Sequence, residues 1–289
     1  MQKLGFGKER KRSHKNNNLV RFQIWIAMKI ILNADDFGRS IERNQAIDDA
    51  FKQGLIRSAS LIVTGKYLQD AVDYINKGGY ADKIHLHLNL STSKKDVDSE
   101  DIPLTEAMRN DSFFCKNGRF RPFKGLPTNP RGVFKWKIVY HEMVAQYNKF
   151  MEITNGKGDY KHIDFHLWYN LTWPASVALK VFTRKYKIES VRYISMHYKS
   201  ILKYKIHQII SWNPRVKSIS CSSIDYFLTK YKSIPKEEVF ELYCHPNYKE
   251  GVLLDDTPSL FQHDRQPLIE HIQKLKALDS FEFVSWKDV

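Results

Sequence analysis

The chain predicts an α/β fold: a (β/α) barrel, or a distorted TIM-type relative of one, with about seven strands. Two observations point there. Short β-branched and apolar runs alternate with longer helix-periodic segments, a pattern that builds a mostly parallel sheet with helical crossovers. An apolar content of 42% and an aromatic content of 13% over 289 residues supply a substantial core.

Strands are expected at 29–34, 58–63, 84–90, 160–167, 189–195, 239–244 and 281–285. Helices are expected at 41–53, 67–77, 132–152, 174–186, 222–231 and 262–278. The first strand runs through Ile30-Ile31-Leu32 into Asn33-Ala34-Asp35-Asp36-Phe37-Gly38. Ser40 caps the helix that follows, Gly54 ends it, and Pro174 suits a first helical turn. In Ile84-His85-Leu86-His87-Leu88-Asn89-Leu90 and His162-Ile163-Asp164-Phe165-His166, polar and apolar residues alternate. His85 and His87 therefore share a face, as do Asp164 and His166. The run Glu241 to Cys244 ends in His245-Pro246, where proline stops the ladder. Between these elements, 91–131 is a long connection after the His87 strand, expected to lie over the rim that carries the motifs.

The formal net charge is +14, of which +6 lies in residues 1–27. That segment is expected to be a basic extension, either disordered or the product of an upstream start. A single catalytic domain is expected over 28–289. The remaining excess, concentrated at Lys180–Lys217, reads as a solubilising surface; no helix-turn-helix or RNA-binding signature accompanies it, so no nucleic-acid partner is expected. Three cysteines without metal-type spacing, and no apolar run near the roughly 20 residues of a membrane span, suggest a cytoplasmic protein.

Two adjacent carboxylates at a strand end are costly unless a cation or a shared proton relieves them. With imidazoles at the ends of neighbouring strands they make the donor set of a hydrolytic metal site. In parallel α/β folds, such ends carry the chemistry. His245 would stand at the same rim as an acid outside the ligand set.

From Met28 to Val289 the chain resembles the YdjC-like carbohydrate deacetylases, which include chitooligosaccharide deacetylases. The resemblance rests on Asn33 to Gly38 with Ser40 and Asn44, and on His87-Leu88-Asn89-Leu90. It continues through Glu142 with Ala145-Gln146, His162 to His166, Val191-Arg192 and Glu241 to Pro246. It implies one divalent metal ion, Mg or Zn, held by Asp36, His87 and His166, with Asp35 as general base and His245 as general acid. Asn33, Arg192 and Trp168 are expected at the substrate, an N-acetylated sugar or short oligosaccharide, and a homodimer is compatible with the resemblance. The chain departs from the family at His85, where glycine is usual, and at Trp168 and Asn170, where further histidines are frequent.

The expected reaction is release of acetate: Asp35 takes a proton from water, and His245 protonates an amine that would otherwise leave poorly. Three other readings stay open: a binuclear amidohydrolase or phosphoesterase built on His85-Leu86-His87, a metal-free glycosidase, and a basic binding module.

Overall fold

The computed structural model describes residues 28–92, 101–122, 130–167, 172–195, 202–234, 239–258, 265–278 and 281–289. The basic segment 1–27 and Trp168 lie outside them.

The first half holds β1 (Met28–Phe37), α1 (Ile41–Lys52), β2 (Ser58–Leu61), α2 (Leu68–Gly78) and β3 (Ile84–Leu88). The long connection then carries α3 (Glu106–Asn110) and a small hairpin, β4 (Cys115–Lys116) with β5 (Arg119–Phe120). Next come α4 (Trp136–Ile153), β6 (Asp159–Phe165), α5 (Trp173–Lys185), β7 (Ser190–Ser195), α6 (Leu202–Ser211) and β8 (Lys217–Ser223). The chain ends with α7 (Ile224–Lys230), β9 (Val239–Cys244), the hairpin β10 (Pro246–Lys249)–β11 (Val252–Asp255), α8 (Leu268–Lys276) and β12 (Phe281–Val284).

Seven parallel strands close into a barrel in the order β1-β2-β3-β6-β7-β8-β9, with β9 returning to β1. The expected fold class is therefore the observed one, but membership of the ring differs from expectation. The seventh ring strand is β8, in a stretch where the sequence predicts no strand. Its Lys217-Ser218-Ile219-Ser220-Cys221-Ser222-Ser223 is rich in small hydroxyl residues and holds one β-branched apolar side chain, so it lacks a strand's usual signal. The expected strand at 281–285 exists as β12 outside the ring. It pairs with Met28–Ile31 of β1, below the stretch Asn33–Phe37 that pairs with β2.

Alternation along each strand separates two environments. Outward residues such as Ile30, Leu32, Leu86, Ile163 and Phe240 join the apolar core beneath the helices. Inward residues are largely polar and fully buried, among them Asn33, Ser60, His85, Asp164 and Glu241. One end of this interior is closed by Ile31, Val239 and Val284 with Trp286 packed against them. Buried polar groups are costly unless they are hydrogen-bonded, and most of the inward side chains pair with one another, with His162 Nε2 and Glu241 Oε2 as exceptions.

The connection after β3 is tied to α4 rather than to the sheet. The Glu142 carboxylate accepts from the Leu104 and Thr105 backbone N–H groups at 2.9 and 2.8 Å and from the Thr105 hydroxyl at 2.7 Å. Gln146 exchanges two hydrogen bonds with the Asn89 backbone, at 3.0 and 2.7 Å. The buried Asp101 then meets Asn89 Nδ2 at 2.9 Å, which brings the connection to the rim as expected.

Candidate active site

The Asp35-Asp36 pair is shaped by a break in β1. Its register with β2 shifts between Ala34 and Phe37, and Asp36 has φ of 69°. A left-handed residue at a bulge re-aims its side chain. Both carboxylates consequently face one place: His245 Nε2 lies 4.0 Å from Asp35 Oδ2 and 3.9 Å from Asp36 Oδ2. The turn is held by Asn44, whose Oδ1 accepts from the Gly38 N–H at 2.7 Å while its Nδ2 donates to Tyr67 O and Asp70.

Asp36, His87 and His166 come together, with one donor atom from each within 4.8 Å of the others. Asp36 Oδ1 is 2.9 Å from His166 Nδ1 and 3.3 Å from His87 Nε2. Burial would raise the Asp36 pKa, but His166, His87 and Arg39 hold it well below the usual carboxylate range. Burial pushes His166 down, keeping it a neutral donor. It would push His87 down too, yet Asp164 with Asp36 and Asp35 carries it up to about 10. His87 Nδ1 lies 2.5 Å from Asp164 Oδ1, the outer carboxylate that a metal-binding histidine usually carries. One ionised carboxylate and two imidazoles make a donor set for a divalent cation, which would displace the proton from His87 Nε2 on binding.

Asp35 is fastened from below. Arg192 donates to both its oxygens, at 2.6 and 2.7 Å, and Asn33 Nδ2 donates at 2.8 Å. The same guanidinium contacts Glu241 at 2.6 Å and Asp164 at 2.7 Å. His245 is oriented from the side. The Thr257 hydroxyl donates its one proton to Asp255 at 2.6 Å, so it accepts from His245 Nδ1–H at 2.8 Å and turns Nε2 toward the carboxylates.

A family model for YdjC-like protein matches residues 29–287. The chain belongs to the YdjC-like family. Among similar family proteins is carbohydrate deacetylase 2 of Listeria innocua, 25% identical over 91% of this chain and 99% of that one. A carbohydrate deacetylase of Enterococcus faecalis is 26% identical over 86% and 92% of the two chains. The crystal structure of a candidate cellobiose-phosphate cleavage protein from Enterococcus faecalis V583 shares the fold, with a TM-score of 0.64 at 20% identity, covering 91% of this chain and 98% of that one.

Of the residues singled out in the sequence, Asp35, Asp36, His87, His166 and His245 share one rim of this YdjC-like barrel. Asn33 and Arg192, expected at the substrate, are buried beneath that rim, and both donate to Asp35. Sequence reasoning missed Asp164, Glu241, Asp255 and Thr257 as supporting groups. The first two stand at inward positions of quoted motifs, so strand parity was the available signal. Asp255 and Thr257 carry no signal, because only the β10–β11 hairpin brings them back to His245. No described helix is long and apolar enough to cross a membrane.

Proposed function

We propose that the protein is a metal-dependent hydrolase that removes acetyl groups from N-acetylated sugars or short oligosaccharides. The observation that carries this reading is the facing of Asp35 and His245 across the Asp36–His87–His166 donor set. The names of the Listeria and Enterococcus relatives support the carbohydrate substrate.

Asp36, His87 and His166 would hold the cation. When bound it supplies Lewis-acid activation of water and of the acetamide carbonyl. Asp35 Oδ2, the oxygen facing His245, takes the proton of the attacking water. Arg192 and Asn33 keep that carboxylate oriented, so little geometry has to change during the reaction. His245 Nε2 delivers a proton to the departing sugar amine, while the Thr257–Asp255 contact holds the ring.

The test is acetate release from N-acetylated chitooligosaccharides, with and without added divalent metal. Wild type should release acetate only when metal is present, and Asp35→Asn should lower the rate by about 100-fold or more. Undiminished release after exhaustive chelation, or full activity in Asp35→Asn, would sink the proposal.

A further inference from the structure

Beneath the rim lies a second constellation that the reading above does not use. His85, His162 and Glu241 are each fully or almost fully buried, and one donor atom from each lies within 4.8 Å of the others. They sit at the closed end of the barrel interior, where the His162 ring stacks on Trp286 at 3.5 Å between centroids.

Two of these donors have no hydrogen-bond partner among the described residues. His162 Nε2 and Glu241 Oε2 face each other at 3.9 Å, beyond hydrogen-bonding distance. His162 Nδ1 is anchored 2.8 Å from Ser190 Oγ, and Glu241 Oε1 is anchored 2.6 Å from Arg192, so both free atoms are aimed into the same space. Burial keeps His162 neutral, with a lone pair available for a cation. The third member, His85, has Asp164 at 3.2 Å from one ring nitrogen and Ser58 at 3.3 Å from the other.

Charge balance points the same way. Arg192 contacts three buried carboxylates, Asp35, Asp164 and Glu241; His87 also pairs with Asp164, which leaves one guanidinium between Asp35 and Glu241. Buried charge in excess is paired or bound to metal in stable proteins.

We propose that His85, His162 and Glu241 form a second, interior cation site that takes a borderline transition metal such as zinc. Two imidazoles and one carboxylate select zinc over magnesium. The closed surroundings give this ion a structural part, fixing the Arg192–Glu241 floor under Asp35. The site involves none of the three rim donors, so it stands independently of the proposed reaction.

The test is zinc stoichiometry by elemental mass spectrometry on full-length protein purified from zinc-supplemented cultures. Wild type should carry two equivalents, His85→Phe one and Asp36→Asn one. His85→Phe keeps a ring in the space but offers no donor; His85→Gly is the second variant, and circular dichroism checks the fold of each. Anomalous diffraction at the zinc edge should place one peak among His85, His162 and Glu241. A single equivalent lost in Asp36→Asn and kept in both His85 variants would overturn the interior site and leave the rim reading intact. A single equivalent lost with His85 and kept in Asp36→Asn would support the interior site and show that the rim does not hold zinc. Protein without zinc would overturn the interior site and leave the rim reading to the acetate-release test, because the rim set is compatible with magnesium as well as zinc.

Discussion

At the residue scale, the site works by giving each reactive group one orientation. Asp35 accepts three hydrogen bonds, two from Arg192 and one from Asn33, and His245 has one nitrogen committed to Thr257. Removing the hydroxyl that accepts from His245 Nδ1 frees the ring without touching the reacting atoms. Thr257→Val should therefore lower kcat by about 10-fold with KM little changed, while Thr257→Ser restores most of it. Steady-state kinetics on both variants checks this, and an unchanged kcat in Thr257→Val would show that the hydroxyl does not orient the ring. Arg192 shows why residue type alone misleads. From the sequence, an arginine at this strand position is expected to bind or orient the substrate, yet the guanidinium is buried in contact with three carboxylates.

At the element scale, the decisive feature is the end of β1. Strand alternation would send Asp35 and Asp36 to opposite faces. The bulge and the left-handed Asp36 bring them to one rim, and the following turn must hold that shape. Gly38 makes this possible: its φ is +94°, and a Cβ there would stand 2.8 Å from the Ile62 carbonyl oxygen. Gly38→Ala should cost more than about 1 kcal/mol in stability, measured by urea denaturation, because a Cβ in that conformation is both strained and clashing. A variant as stable as wild type would show that the turn relaxes elsewhere. The β10–β11 hairpin is the other element that matters. It follows His245 directly and returns Asp255 to the His245 backbone N–H at 3.0 Å.

At the scale of the whole molecule, His271 on α8 ties distant parts together. It contacts Asp225 on α7 at 3.0 Å and Asp255 on β11 at 3.5 Å. Burial lowers its pKa, but the two carboxylates outweigh burial and raise it from 6.5 to about 9. A histidine raised on folding contributes stability that is fully present below its unfolded pKa of 6.5 and is lost as pH climbs through about 9. Unfolding free energy should thus decline between those values by on the order of 2 kcal/mol, and His271→Gln should flatten that slope. Denaturation midpoints at pH 6 to 10 measure it, in roughly half-unit steps. Equal slopes in the two proteins would remove His271 as the cause.

The sequence by itself determined the fold class, six of the seven ring strands, the polar–apolar alternation within them, and hence the set of chemical groups at one end of the sheet. These are local properties, written in spacing and residue type. Asp35, Asp36, His87, His166 and His245 were legible for that reason. Only the tertiary structure decided which strands close the ring: β8 entered it on the strength of its neighbours, and β12 was left to pair with the lower half of β1. It also decided that Arg192 lies inside, that two neighbouring aspartates face one point, and that the hairpin returns to orient His245. Each of these depends on hydrogen bonds and charge balance between residues far apart in the chain, which no local pattern encodes.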